Sequence, residues 1–306
     1  MEEQQRKGRV EQVKNLTMTK IGSGILKQIY KKRRDEVRKY DYGLLLVIGG
    51  GEFYSGSPAL TAMAAFRAGV DMVQIIAPKR AADIIASFSP NLATYPLRGS
   101  ILSKEHLPIL LSMTTAAQQV SQGKTAVVIG GGLGRSEEVK ETVREYLSQI
   151  NIPAIIDADA VHAIGKNQQC VKGKNFLFTP HVFEFFVLTG RDIRNFTFEQ
   201  KMEVVREESE KLGGTVLLKG KTDIISNGSI TYINETGSPY LTKGGTGDTL
   251  AGICGGLVAQ GVEPFLAAQA AAYINGKAGE IAAQNLKQSL LATDLITAIP
   301  NVLKKT

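Results

Sequence analysis

Residues 43–51 read GLLLVIGGG and residues 70–78 read VDMVQIIAP, and between them residues 57–69, SPALTAMAAFRAG, are rich in alanine. The first is a continuous apolar run ending in glycines, which fits a strand buried on both faces, the second reads as another strand, and a helix between them makes a parallel βαβ unit with a right-handed crossover. This reading decides the fold, because the same alternation continues downstream. Residues 92–97, 125–130, 153–157 and 175–179 read as further strands, and residues 107–122, 137–150 and 182–188 as helices. The fold class is α/β, a mostly parallel central sheet with helices on both faces.

After residue 215 the pattern changes. Three short strands, at 215–219, 223–226 and 230–234, follow closely, with the hairpin pair Asn227-Gly228 between the last two. An antiparallel edge is expected there. From residue 246 onward the chain is mostly helical, with segments at 265–284 and 292–303. Upstream, residues 1–40 read as an N-terminal segment of one or two helices, the second spanning 24–40. Its apolar stripe is Leu26, Ile29 and Tyr30, opposite Lys27, Lys31, Lys32, Arg33, Arg34, Arg38 and Lys39. This is the pattern of an amphipathic cover helix. Residues 41–306 make one domain.

The chain has 306 residues, 43% hydrophobic and 21% charged, the balance of a globular protein rather than a disordered one. Its net charge of +7 is concentrated in the basic cluster, a solvated helix face on this reading. No aromatic interleaving or known module accompanies the cluster, so no nucleic-acid partner is expected. Cys170 and Cys254 lie far apart without metal-like spacing. With no apolar leader in MEEQQRKGRVEQVK and no membrane-length run, the expected location is cytoplasmic.

In open α/β sheets ligands bind beyond the carboxyl ends of the strands. The polar and glycine-rich clusters fall there: Gly49-Gly50-Gly51, GGGLG at 130–134, Asp157-Ala158-Asp159, Thr179-Pro180-His181 and Lys219-Gly220-Lys221-Thr222. Residues 241–256, LTKGGTGDTLAGICGG, add a glycine loop that opens a helix. The unpaired N–H groups and positive dipole end of such a helix form an anion site. Asp248 in its first turn has two readings, a capping carboxylate or a general base. Asp157 and Asp159 are candidate Mg²⁺ ligands, or Asp159 a helix cap. His181 is a ligand contact or a turn histidine, and Lys219 a point charge for phosphate. A Walker loop is excluded, because Thr215 stands where GxxxxGK requires glycine.

Taken together, YSGSPALTAMAAFRAG, GGGLG, IIDADAV, FTPHVFEF, LLKGKTDII and KGGTGDTLAG resemble, in order and spacing, the ADP/ATP-dependent NAD(P)H-hydrate dehydratases of the ribokinase-like superfamily. The resemblance implies a ribokinase-like three-layer fold and nicotinamide nucleotide repair. Hydrated NADH or NADPH, NAD(P)HX, would lose its added water at the expense of ADP or ATP, through phosphorylation of the ring hydroxyl and elimination of phosphate. It implies Asp248 as catalytic base, with Gly244, Gly245, Thr246 and Gly247 as the anion hole. Lys219, Gly220, Lys221, Thr222, Asp223 and Gly247 would bind ADP or ATP, and Ser57, Gly134, His181 and Asp248 the hydrated dinucleotide. Mg²⁺ would bridge the nucleotide phosphates, with Asp157 as a possible ligand.

A homo-oligomer, for instance a tetramer, and a separate NAD(P)HX epimerase are the partners implied, since 40 residues cannot hold the epimerase domain some members carry in front. Two departures stand out. Gly131 replaces the proline of the usual GPGLG, and Val182-Phe183 replaces Pro-Gly in TPHPGE. Two other functions fit the same pattern, a sugar or vitamin-precursor kinase of the superfamily and a non-catalytic nucleotide sensor.

Overall fold

The computed structural model describes residues 19–165 and 167–304. Any helix within residues 1–18 lies outside them. The strands are β1 Thr19–Lys20, β2 Leu44–Ile48, β3 Met72–Pro78, β4 Ala93–Leu97, β5 Thr125–Ile129, β6 Ala154–Ile156, β7 Phe176–Phe178, β8 Thr215–Leu218, β9 Asp223–Ser226 and β10 Thr231–Asn234. They form one sheet in the order β1-β10-β9-β8-β7-β6-β5-β2-β3-β4. Pairing is parallel except where β9 meets β8 and β10, so the expected antiparallel section is present, with β1 added parallel to β10 beyond it.

The helices are α1 Gly24–Ile29, α2 Gly56–Arg67, α3 Lys79–Phe88, α4 Leu107–Val120, α5 Glu137–Gln149, α6 Asp159–Ile164, α7 Val182–Thr189, α8 Phe198–Leu212, α9 Thr246–Ala259, α10 Pro264–Leu286 and α11 Ala292–Leu303. The pleat of β2 shows why three layers form. All five of its residues are buried, Leu45 and Val47 in one core and Leu44, Leu46 and Ile48 in the other. Successive side chains point to opposite faces, so an apolar run feeds two layers at once. Helices α2, α3, α9, α10 and α11 cover the first face, and α4, α5, α6, α7 and α8 the second.

Helix α9 sits close to the sheet and to α2 because its inner face is glycine. A Cβ at Gly252 would strike the carbonyl of Thr61, and one at Gly255 the side chain of Val128. Much of the glycine in residues 241–256 therefore serves packing, and only its first half faces the rim.

Three readings are corrected. The helix expected over 24–40 is limited to α1, and the chain is extended at Tyr30 (φ −87°, ψ 99°). The like charges that follow disfavour helix at i,i+4 spacing. Arg33 also has partners elsewhere: it donates to Asp71 (3.1 Å) and to the Gly69 carbonyl (2.6 Å), and its guanidinium lies 3.6 Å from the centroid of the Tyr42 ring. That part of the basic cluster is a tether rather than a solvated helix face. Helices α3 and α8 form where none was expected. The signal for α8 was present: Thr197 accepts from the Gln200 N–H and Gln200 returns a bond to the Thr197 N–H, while Gly213 ends the helix in the left-handed region at φ 66°. Among the described residues no helix is long and apolar enough to cross a membrane.

Candidate active site

Strands β8, β7, β6, β5 and β2 are neighbours running in parallel, so the segments after them meet along one rim. Gly49-Gly50-Gly51, GGGLG, Asp157-Ala158-Asp159, Thr179-Pro180-His181 and Lys219 all emerge there. The Gly50 N–H donates to the Gly131 carbonyl (2.8 Å), which joins the first two loops. Between the two aspartates Ala158 is held at φ 48°, a strained value for a residue with a Cβ. Their carboxylates take different partners.

Helix α9 delivers Asp248 to this rim from below. Gly245 makes the entry at φ 96°, where a side chain would be strained. Asp248 does not cap its own helix. Its Oδ1 accepts a 2.6 Å hydrogen bond from the Ser57 hydroxyl on α2. Burial lifts its carboxyl to about 6, opposed by the Ser57 bond, helped by the nearby Asp157 charge and opposed again by Lys219. No capping hydrogen bond is made, although Asp248 keeps its place in the first turn at the positive end of the helix. A carboxylate poised near neutrality and tied to a hydroxyl is equipped to take a proton.

Lys219 reaches across from β8. Its Nζ lies 2.9 Å from Asp157 Oδ1 and 3.6 Å from Glu184 Oε2. Burial alone pulls the ammonium down, but Asp157, Glu184 and Asp248 outweigh it and the lysine is held charged. Thr179 donates to the same Asp157 oxygen (2.7 Å), so that oxygen is committed to the protein. Glu184 in turn accepts from the His181 N–H (2.8 Å). His181 Nδ1 accepts from the N–H groups of Phe183 (3.1 Å) and Glu184 (3.2 Å), capping α7. With Nδ1 so used, the neutral ring carries its proton on Nε2, as a donor.

Two cavities open on either side of Asp248. The first, about 520 Å³, is lined among others by Lys219, Gly220, Lys221, Asp223, Thr246 and Gly247. The second, about 490 Å³, is lined by Tyr54, Ser57, Gly132, Gly134, Arg135 and Asp159. Gly247, which precedes Asp248 in the chain, lines the first, and Ser57, which is bonded to that aspartate, lines the second, while Asp248 itself lines neither. In the first cavity Asp223 is fixed by the Gly220 N–H (3.0 Å) and Asn234 Nδ2 (3.0 Å). Burial pushes it up to about 6 against those bonds and Lys219.

The expected residues divide accordingly. Lys219, Gly220, Lys221, Asp223, Thr246 and Gly247 line the first cavity, and Ser57 and Gly134 the second, while Thr222, Gly244, Gly245, His181, Asp157 and Asp248 line neither. Asp159 does not stand free for a metal. It accepts from the Gly134 N–H (2.9 Å) and from Arg135 Nε (2.7 Å), pinning the glycine loop to α6. Glu184, Arg135 and Tyr54 were not anticipated as part of this rim. Glu184 carried the one available signal, a glutamate three residues after a capping position.

A family model described as NAD(P)H-hydrate dehydratase matches residues 45–301. The chain is 39% identical over 288 residues to the bifunctional NAD(P)H-hydrate repair enzyme Nnr of Pyrobaculum aerophilum, covering 93% of this chain and 55% of that protein. It is 35% identical over 286 residues to the ADP-dependent (S)-NAD(P)H-hydrate dehydratase of Nitrosopumilus maritimus, covering 93% and 96%. Among solved structures, a ribokinase-like superfamily protein of Enterococcus faecalis superposes with a TM-score of 0.80 at 25% identity, over 94% of this chain and 96% of that one. The expected ribokinase-like fold is the one present. The chain spans about half the length of the bifunctional relatives it matches.

Proposed function

On the premise that the chain belongs to the NAD(P)H-hydrate dehydratase family, we propose that it restores NADH and NADPH from their hydrates at the expense of ADP or ATP. The observation that carries this reading is Asp248, a carboxylate at about 6 whose chain neighbour Gly247 lines one cavity with Lys219 and whose hydrogen-bond partner Ser57 lines another beside the glycine loop. The nucleotide lies in the first cavity and the hydrated dinucleotide in the second. ADP is the donor named for the Nitrosopumilus relative, and we extend it to this chain.

In this mechanism Asp248 takes the proton of the ring hydroxyl as its oxygen attacks the terminal phosphoryl group. The first N–H groups of α9, around Gly244 to Gly247, and Lys219 stabilise the charge that develops on the transferred group. The ring carbon–oxygen bond then breaks as the adjacent ring carbon gives its proton to solvent water and the electron pair of its C–H bond forms the ring double bond, releasing phosphate and the reduced nicotinamide. With ADP as donor the other product is AMP. Among the described residues no group of three candidate ligands could hold a metal ion, and Asp157 Oδ1 is engaged by Lys219 and Thr179. These residues fit a Mg²⁺ held mainly by phosphate oxygens and water, the usual habit of that ion, where it would neutralise phosphate charge. The purified chain with ADP and hydrated NADH should regain the absorbance of reduced nicotinamide. Phosphorylation of a sugar or vitamin precursor without that recovery refutes the proposal.

Two variants probe the base. Ser57→Ala removes the bond that holds the Asp248 carboxyl down. Its pKa then rises, and the acid limb of kcat/KM moves upward by about one pH unit. An unshifted limb separates that limb from Asp248. Gly131→Ala places a Cβ 3.0 Å from Asp248 Oδ1 and 3.1 Å from the Ser57 hydroxyl. Crowding the pair should lower kcat about tenfold, as small misplacements of reacting groups do, with the unfolding midpoint little changed. An unaltered kcat shows that the loop yields instead.

A further inference from the structure

Phe183 is 55% exposed on the first turn of α7. Its ring stands among three others. The His162 ring centroid is 6.1 Å away at 44°, the His181 ring 6.5 Å away at 29°, and Phe186, itself 42% exposed, 6.4 Å away at 40°. The ring thus belongs to an aromatic cluster, and Phe183 keeps more than half of its surface exposed.

The position of this shelf links it to the second cavity. His162 lies three residues after Asp159 on α6, hence on the same face one turn along. The charged groups that act on His162 are Arg135, Glu184, Asp159 and His181, two of which line that cavity. The shelf therefore lies beyond the Asp159 side of the cavity, outside its lining residues, and Ser57 in that lining is bonded to Asp248. A dinucleotide carries two planar ring systems. The reacting ring must reach the partly buried Asp248, so the other is left for the exposed end.

Resting on the dehydratase reading, the geometry points to Phe183 as the stacking platform for the adenine of the bound dinucleotide, a specificity-determining contact for that substrate. Base stacking on an aromatic side chain tolerates a solvent-exposed setting and needs only one open face. His162 and His181 hold the platform by ring contacts.

The test is direct binding, which does not depend on turnover. NADPH and reduced nicotinamide mononucleotide are titrated calorimetrically against the wild-type chain, Phe183→Leu and Phe183→Tyr, with ADP present throughout to fill the first cavity. Phe183→Leu should weaken NADPH about tenfold, leave the mononucleotide unchanged, and be rescued by Phe183→Tyr. Equal NADPH affinity in all three chains overturns the proposal, as does an equal loss for both probes. A change in oligomeric state without a change in NADPH affinity also overturns it, marking the patch as a contact between chains. If the wild-type chain binds NADPH but restores no hydrated NADH, the dehydratase reading falls while the stacking result stands.

Discussion

Asp248→Asn lowers kcat about a thousandfold, within the range for removal of a general base, while ADP and NADPH still bind. The same substitution raises stability. The carboxyl sits at about 6 in the folded chain against 3.8 unperturbed, so the native state holds its proton more tightly than the unfolded state does. Native stability from this group is therefore full below pH 4 and is lost as pH rises toward and through 6. At pH 8 the folded protein carries the cost of an ionised, desolvated carboxylate, roughly 2 kcal/mol for a shift of this size in a partly buried group. Asparagine does not carry it. Urea unfolding should show Asp248→Asn more stable at pH 8, with the difference vanishing toward pH 4. A variant that loses both turnover and stability at pH 8 points to a structural role.

The wild-type pH profile follows from the same group. Activity should fall below pH 6 as Asp248 takes a proton. Asp223 also sits at about 6, so the assignment needs a control. Asp223→Asn should keep the limb and raise the KM for ADP, since Asp223 lines the first cavity. If the limb disappears in that variant, the titration belongs to nucleotide binding.

The parts of this site legible in the chain were those set by local pattern. β2 and β5 declare themselves because strands buried on both faces read as apolar runs, and their glycine-rich ends mark the rim. Helix α8 hid because FEQKMEVVREESEKL is dominated by charge, with its apolar stripe limited to residues such as Met202, Val205 and Leu212. Residues 30–40 misled in the opposite direction, since the partners of Arg33 lie 36 and 38 residues away. The same holds inside the site. Ser57 meets Asp248 across 191 residues and Lys219 meets Asp157 across 62. No local spacing encodes such pairs. Only the topology, which brings five strand ends to one edge, sets them side by side.

Lys219→Met tests that pairing where its consequence is largest. Asp157 is 4% exposed and Glu184 5%, and Lys219 is the cation beside both. Truncating one partner of a buried ionic group leaves the remaining charge desolvated, at about 3–5 kcal/mol. The substituted chain should unfold at markedly lower urea and lose kcat by about a hundredfold, the typical effect of removing one charge-stabilising donor. Stability and turnover then separate in a second step. Adding Asp157→Asn removes one uncompensated carboxylate, so Lys219→Met/Asp157→Asn should regain part of the lost stability. Its turnover should not return, because the phosphoryl group still lacks its cation. If the double variant recovers both, Lys219 serves only to neutralise Asp157. If Lys219→Met is as stable as the wild-type chain, the lysine is not what offsets the burial of the two carboxylates. The separation follows from where the lysine stands: behind it are buried anions that need a cation to fold, and in front is a cavity whose ligand needs the same cation to react.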